Sequence, residues 1–244
     1  MNLITIEKKF DYLFVLGDPH QEWVNLTKLL RKFDIKNAAI IGLGDFPRGL
    51  GDKTYNVKEE ERLENFNRGL KLRNCSMWNI RGNHDNPSFF DGTHDYSNIF
   101  FIPDYTILEL NEKRIFCLGG AISIDRKKNV KDIDWFEDEG IVIKKDELKN
   151  IIDIDIMITH TSPTNTPPLA FNQIVDVFAE NDPTLKEELA IERHLLRQFY
   201  DKIKKQNPKL KEYYYGHFHY DSVFYEEDIK FIMVSIFNLI EIKC

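Results

Sequence analysis

The chain has 244 residues, of which 42% are hydrophobic and 18 are phenylalanine. This composition excludes an intrinsically disordered chain and a mini-protein that depends on disulfides or a metal to fold. Lys and Arg total 33 and Asp and Glu total 40, so the net charge is −7. An acidic balance disfavours constitutive binding to duplex nucleic acid, and no stretch approaches the roughly 18 consecutive apolar residues of a membrane span.

The cysteines and the N-terminus indicate a cytoplasmic protein. Cys75, Cys117 and Cys244 lie far apart without paired spacing, so we interpret them as reduced thiols. The N-terminus lacks the basic and apolar regions of a secretory leader. Because no repeat or linker divides the chain, we predict a single domain over residues 1–244; the sequence does not predict an oligomeric state.

The first third of the chain predicts strands that alternate with helices. Apolar runs at residues 12–16 and 38–43 predict buried strands, and the apolar spacing of residues 21–33 predicts a helix between them. A charged helix follows near residues 57–73, and its run of charges at 59–62 is typical of a solvated face. This alternation indicates βαβ units and a parallel sheet.

The rest of the chain predicts further strands and helices. They are a strand near 77–80, a hairpin of 106–110 with 114–118, a short helix at 144–152, strands at 154–159 and 213–215, a long amphipathic helix that starts at Asp182-Pro183, and β-rich runs at 221–225 and 229–242. Pro163, Pro167 and Pro168 exclude regular structure from residues 161–172. Loops are predicted at 46–56, 86–98, 121–140 and 161–180.

A short polar motif follows five of these strands directly. The motifs are Asp18-Pro19-His20, Asp45, Asn83-His84-Asp85, His160 and His217-Phe218-His219. Residues i and i+2 of an extended segment point the same way, so each pair spaced by two can act together. Open α/β sheets bind ligands at the carboxyl ends of their strands. We therefore expect the five motifs to converge on one site.

The motifs offer two carboxylates, one amide oxygen and four imidazoles, with His84 set apart from them. Mixed nitrogen and oxygen donors suit Mn, Fe, Zn or Ni, with Mn favoured, and suit Ca poorly. Seven donors are too many for one tetrahedral ion but suit two ions that share a bridging carboxylate. Such a pair attracts a phosphate and holds a bridging hydroxide for in-line attack on phosphorus. His84 is then placed to donate a proton to the leaving oxygen.

Any one of these motifs alone has an ordinary structural explanation, but the ordered set resembles the signature of the calcineurin-like metallophosphoesterases. The matching segments are Gly17-Asp18-Pro19-His20, Gly44-Asp45, Gly82-Asn83-His84-Asp85, Thr159-His160 and Gly216-His217-Phe218-His219, within residues 12–220. The resemblance implies an α/β fold, a four-layer αββα sandwich of two mixed β-sheets flanked by helices. It also implies one metal held by Asp18, His20, Asp45 and His219, and another held by Asp45, Asn83, His160 and His217. Asp45 would be the bridge, and His84 the catalytic histidine.

The segment Asp45-Phe46-Pro47-Arg48-Gly49 departs from the pattern of the family's protein phosphatases. The aspartate that would pair with the catalytic histidine is missing, and the arginine stands one position early. We expect Asp85 or Asp52 to take the pairing role and Arg48 to reach phosphate. This departure weakens the case for a Ser/Thr protein phosphatase and leaves the metal ligands unchanged.

The predicted function is hydrolysis of phosphoester bonds, as a phosphatase or phosphodiesterase acting on a small or nucleotide-type substrate. Asp125 and Arg126 follow a Gly-Gly turn, and we expect them to contact that substrate, with Arg126 as a phosphate clamp. A surface ion pair is the alternative for both. Within the family, a Ser/Thr protein phosphatase or a nuclease stays open. A metal-binding scaffold without catalysis is the rival from another class.

Overall fold

The computed structural model of the protein describes residues 1–20, 22–51 and 53–243, and the side chains of residues 23–24 and 53–57 lie outside that description. The described chain forms twelve strands: β1 Asn2–Thr5, β2 Tyr12–Leu16, β3 Ala38–Gly42, β4 Ser76–Asn79, β5 Ile99–Phe101, β6 Thr106–Leu110, β7 Lys113–Leu118, β8 Ile156–Thr159, β9 Glu212–Tyr215, β10 Ser222–Glu226, β11 Ile229–Met233 and β12 Leu239–Ile242. Its α-helices are α1 Trp23–Lys32, α2 Lys53–Leu72, α3 Gln173–Ala179 and α4 Leu185–Gln206.

The strands form two mixed sheets. One sheet has seven strands in the order β1-β6-β7-β8-β9-β11-β10, and the other has five in the order β12-β2-β3-β4-β5. In the five-stranded sheet β2, β3, β4 and β5 are parallel, while β12 pairs antiparallel with β2. In the seven-stranded sheet β7, β8, β9 and β11 are parallel. The parallel centre of each sheet therefore directs several strand ends to one side.

Strand β2 shows how a continuous apolar run builds two interfaces at once. Leu13 and Val15 point into the cluster between the two sheets. Phe14 and Leu16 alternate with them and point into the cluster on the opposite face. Because both faces of a central parallel strand are covered, the run shows no alternation of apolar and polar residues.

Helices cover the outer face of each sheet. Leu26 of α1 and Phe66 of α2 pack on the five-stranded sheet, and Leu196 and Phe199 of α4 pack on the seven-stranded sheet. The layers are thus helix, sheet, sheet and helix, which confirms the predicted four-layer αββα sandwich. None of the helices in the described part of the chain has the length and apolar character needed to cross a membrane.

Three elements were not predicted from the sequence. Strand β1 lies at a sheet edge and is mostly exposed, so it has no apolar pattern. Strand β5 has only 3 residues. Helix α3 lies inside the predicted loop 161–180, and the side chain of Asn172 caps it by accepting hydrogen bonds from the N–H groups of Ile174 and Val175. Cys75 and Cys117 are buried free thiols, and Cys244 lies outside the described residues.

Arg81 connects β4 to two distant loops. Its guanidinium donates to Asp104 Oδ2 at 2.9 and 3.0 Å and to the carbonyl oxygens of Glu139 and Gly140 at 2.6 and 2.9 Å. The side chain is only 5% exposed, and two residues later the chain reaches Asn83. This arginine therefore fixes the segment that carries one of the expected metal donors.

We expect Arg81→Met to lower the free energy of unfolding by about 3 kcal/mol, because it leaves a mostly buried carboxylate and several carbonyl oxygens without their partner. Urea denaturation of the metal-free protein measures this. Arg68→Met is the matched control, since Arg68 is exposed and, among the described residues, its side chain bonds to the nearby Asn65 alone; a change within about 0.5 kcal/mol is expected there. Equal effects of the two substitutions would contradict the assigned role of Arg81.

Candidate metal centre

The predicted donors meet where the carboxyl ends of the two sheets lie side by side. In the five-stranded sheet the donor segments follow the ends of β2, β3 and β4, and in the seven-stranded sheet they follow β8 and β9. These strands are parallel within each sheet, so their ends share one side. The expected convergence of the five motifs is therefore observed.

One group of donors consists of Asp18, His20, Asp45 and His219, whose potential ligand atoms all lie within 4.8 Å of one another. His20 Nε2 and His219 Nε2 are 3.1 Å apart, and His219 Nε2 is 3.4 Å from Asp18 Oδ2. The two carboxylates are buried, whereas His219 is 44% exposed. The group is thus open to solvent on its imidazole side.

A second group surrounds His160, which is fully buried. Its Nε2 lies 3.0 Å from Asn83 Oδ1 and 3.2 Å from Asp45 Oδ1, and its Nδ1 lies 2.6 Å from the carbonyl oxygen of Leu43. With the Nδ1 hydrogen donated to that carbonyl, Nε2 is directed at two oxygen acceptors. The His217 ring packs beside the His160 ring, with the centroids 5.0 Å apart.

The carboxylate of Asp45 stands between the two groups. Its Oδ1 faces His160, and its Oδ2 is 4.0 Å from His20 Nε2. Burial raises the pKa of Asp45, but the surrounding imidazoles, His160 first, outweigh this and hold it well below its usual range. Burial lowers the pKa of His160, yet the Asp45 carboxylate outweighs it and raises the pKa to about 9. Both shifts have the same main cause, the attraction between the buried Asp45 carboxylate and the His160 imidazole.

The glycines of two motifs are required by close approach to these carboxylates. A Cβ at Gly82 would lie 2.1 Å from Asp45 Oδ1, and one at Gly216 would lie 2.2 Å from Asp18 Oδ1. No side chain fits at either distance without displacing a carboxylate. The glycine before each of these donors is therefore part of the site.

Four of the expected ligands have left-handed backbone conformations. The φ angles are 39° at His20, 54° at Asp45, 68° at His217 and 64° at His219. Each such conformation costs on the order of 1–3 kcal/mol at a residue other than glycine and persists only where the surroundings enforce it. The fold thus holds these side chains in orientations that the isolated chain would avoid.

The donor set fits divalent transition-metal ions. Asp18 Oδ1 is buried and has no hydrogen-bond partner in the described part of the chain, although buried carboxylate oxygens are normally paired. The other oxygen of this carboxylate, Oδ2, lies 3.4 Å from His219 Nε2, and potential ligand atoms of Asp18, His20, Asp45 and His219 lie within 4.8 Å of one another. A cation between these atoms would satisfy them all, and imidazole with carboxylate is the ligand type of Mn, Fe, Zn and Ni.

His84 lies beside the donor groups and lines the space in front of them. Its ring centroid is 5.8 Å from that of His20, and its backbone N–H donates to Asp45 Oδ1 at 2.9 Å. The expected pairing with Asp85 is not what the structure shows. The buried Asp85 carboxylate accepts hydrogen bonds from the N–H groups of Gly82 at 2.6 Å and Arg48 at 2.8 Å. Asp85 therefore shapes the loops; the alternative partner, Asp52, lies outside the described residues.

Arg48 does not reach the site. It is buried and pairs with Glu59 at 3.1 Å and Glu60 at 2.7 Å, and its guanidinium stacks on the ring of Phe89. Glu59 departs from the predicted solvated face of α2, because it is only 1% exposed, whereas Glu60, Glu61 and Arg62 are exposed as predicted. Its carboxylate is turned toward Arg48 and away from solvent.

Arg126 is also occupied elsewhere, while Asp125 stays at the site. The guanidinium of Arg126 pairs with Asp182 and Glu188 at the start of α4, each at 2.5 Å. The role of phosphate clamp is therefore wrong for Arg126 in this structure. Asp125 lines the cleft in front of the metal donors, so its contact with substrate stays a prediction.

That cleft has a volume of about 530 Å³ and runs from the donors toward α3. The expected site residues in its lining include Asp45, Asn83, His84, His217 and His219. Residues of the 168–178 segment line it as well, together with Ile124, Phe218 and Tyr220. The metal donors and this segment therefore face one cleft.

Sequence reasoning missed the residues that support the ligands. Ser123 is buried and accepts a hydrogen bond from Asn83 Nδ2 at 3.0 Å, and its hydroxyl donates to Glu139 at 2.8 Å. This contact leaves Asn83 Oδ1 directed at His160. Glu192 and Arg193 lie on the buried face of α4 between Leu189 and Leu196. Two charged residues within the apolar stripe of a helix are the sequence signal that could have identified them.

Solved structures with a similar chain course are very different in sequence. A protein named as a 5′-nucleotidase from Staphylococcus aureus, crystallised with α-ketoglutarate, matches with a TM-score of 0.49 and 10% identity over 92% of this chain. The chain spans about half of that protein, 48% of its length. GAP50, the anchor in the inner membrane complex of Plasmodium, matches with a TM-score of 0.44 and 12% identity, over 92% of this chain and 71% of that one. At these scores neither neighbour bears on the substrate.

No curated protein matches the sequence significantly. A family model does: the model described as calcineurin-like phosphoesterase matches residues 12–221. That span contains every donor of both groups and His84. The chain therefore belongs to the calcineurin-like phosphoesterase family.

Proposed function

We propose that the protein is a metal-dependent hydrolase of phosphoester bonds, a phosphatase or phosphodiesterase, that works with two divalent transition-metal ions, Mn favoured. The position of Asp45 supports this most directly. Its two oxygens face two separate groups of donors, at 3.2 Å from His160 and 4.0 Å from His20. A carboxylate shared in this way is what a pair of ions about 3.5–4 Å apart requires.

Each side chain has a defined part in this proposal. Asp18, His20 and His219 would hold one ion together with Asp45, and Asn83, His160 and His217 would hold the other. The bound ions supply positive charge for the phosphoryl oxygens and lower the pKa of a coordinated water. Two carboxylates only partly neutralise two divalent ions, so the centre attracts an anionic ester.

His84 would act on the leaving group. It lines the cleft, is half-buried, and lies outside the compact group of donors around Asp18. The bond from its N–H to Asp45 fixes its backbone beside the centre. An imidazole there can donate a proton to the leaving oxygen, which typically contributes about 10²–10⁴-fold to a rate.

Metal reconstitution tests the proposal. The metal-free protein is loaded separately with Mn²⁺, Fe²⁺, Zn²⁺ and Ni²⁺, and each form is offered 4-nitrophenyl phosphate, bis(4-nitrophenyl) phosphate, a cyclic nucleotide and a dinucleoside polyphosphate. We expect binding of about two ions per chain and hydrolysis of at least one ester. A chelator should abolish turnover, and Mn²⁺ should restore it. A protein that binds no divalent ion and hydrolyses none of these esters would contradict the proposal.

A further inference from the structure

Two cationic side chains near the cleft have contacts of their own, Arg193 and Lys128, and Lys128 Nζ lies 4.3 Å from the ring centroid of Phe178. Arg193 is the one Lys or Arg among the described residues that line it. Its guanidinium donates to the carbonyl oxygens of Ser162, Pro163, Thr166 and Pro168 at 2.8–3.2 Å. It is buried, with 6% exposure. Within the described part of the chain, the residues that line the cleft therefore offer no free guanidinium or ammonium to a second phosphate or carboxylate.

A carboxylate faces the same space without a partner. Asp125 lines the cleft, and its side chain makes no ion pair or hydrogen bond within the part of the chain that is described. Its neighbour Arg126 is turned away to Asp182 and Glu188. A second negative charge on a ligand would meet this carboxylate without compensation, which disfavours it.

Part of the cleft lining is apolar. It consists of Ile124, Phe171, Ile174 and Phe178, together with Phe218, whose ring centroid is 4.9 Å from that of His217. Phe171 is 38% exposed and Ile174 is 49% exposed. Exposed apolar side chains that form one wall of a concave site, continuous with polar groups at its other end, are typical of ligand pockets.

From these contacts we infer the substrate class of the proposed hydrolase: esters with a single phosphoryl group and an uncharged, apolar leaving group that packs against Phe171, Ile174 and Phe178. The inference rests on the proposed function, since the phosphoryl group would lie at the metal donors. The apolar wall binds the body of the leaving group, and Asp125 rejects leaving groups that carry a negative charge. Nucleoside polyphosphates and phosphopeptides with acidic flanks are then poor substrates.

Two matched pairs of substrates test this with the Mn-loaded protein. Phenyl phosphate and 4-tert-butylphenyl phosphate differ only in an apolar group, and we expect kcat/KM to be about tenfold or more higher for the larger ester. In Phe171→Ala this ratio should fall toward one. Phe33→Ala is the control, because Phe33 is an exposed phenylalanine that does not line the cleft. An unchanged ratio in Phe171→Ala, or no preference in the wild-type protein, would overturn the inference.

A second pair of substrates tests whether the cleft rejects a negatively charged leaving group. 4-Carboxyphenyl phosphate should be used several-fold less well than phenyl phosphate, and Asp125→Asn should raise the ratio of the charged to the uncharged substrate. A preference for pyrophosphate, a nucleoside diphosphate or 4-carboxyphenyl phosphate would refute the proposed selectivity.

Product binding separates the two proposals. 4-tert-Butylphenol, the uncharged product, is titrated into the wild-type and Phe171→Ala proteins by saturation-transfer NMR, which needs neither metal nor turnover. Binding that depends on Phe171 supports the apolar wall even if no ester is hydrolysed, in which case the proposed function fails alone. Hydrolysis of phenyl phosphate without any binding of the phenol would leave the function standing and overturn the inference.

Discussion

Asp45→Asn is expected to abolish activity because it removes the carboxylate that faces His160 with one oxygen and His20 with the other. The asparagine amide is uncharged and has only one oxygen. It therefore cannot direct one oxygen toward His160 and another toward His20. Substitutions that merely support a metal ligand often cost about 10–100-fold in metal affinity or activity. Loss of the shared ligand should therefore lower kcat/KM by more than about 100-fold.

Metal analysis accompanies the kinetics of Asp45→Asn. We expect the metal content to fall below that of the wild-type protein, measured by elemental analysis after dialysis against Mn²⁺. Asp11→Asn is the control, since Asp11 is an exposed aspartate just before β2. Full metal content together with normal turnover in Asp45→Asn would contradict its role as the bridge.

His84→Ala should separate catalysis from metal binding. The imidazole lies outside the compact donor group, so the metal content should stay at the wild-type level. Without a proton donor for the leaving oxygen, kcat should fall by about 10²–10⁴-fold. The loss should be larger for phenyl phosphate than for 4-nitrophenyl phosphate, because the nitrophenolate leaves readily without a proton.

His194→Ala provides the comparison for His84→Ala. His194 is exposed on α4, where it contacts Gln198, and its removal should change neither kcat nor metal content. An equal loss with both esters in His84→Ala would exclude proton donation as its role. A loss of bound metal would instead show that His84 is a ligand.

The convergence of the expected donors was predictable because its determinants are local. Asp18, Asp45, Asn83, His160 and His217 each follow an apolar run within a few residues, so each could be placed at a strand end from its own neighbourhood. The rule that parallel strands end on one side then brings them together without any knowledge of the packing. The layer order followed from the family resemblance and is confirmed by the structure.

The charged residues around the centre were not predictable in the same way. Arg48 and Arg126 are near the site in sequence, but their partners are chosen by tertiary packing. The partners of Arg126 lie 56 and 62 positions away, Asp182 just before α4 and Glu188 in its first turn. Glu59 is buried although the charge pattern of its helix predicts a solvent-exposed face. A free cation and a paired one have the same appearance in a sequence. Asp85 shows the same limit, because its bonds to backbone N–H groups leave no trace in the residue pattern.

The donors of the centre come from segments far apart in the chain, and this affects when an ion can bind. The N–H of His217 donates to Asp18 across 199 positions, and His160 joins Asn83 across 77. Closing such long loops costs entropy that must be met before any of these contacts forms. An unfolded or partly synthesised chain therefore has no preassembled centre. In the proposed function, acquisition of the ions would mark the last stage of folding, and their retention would report that the two sheets are still joined.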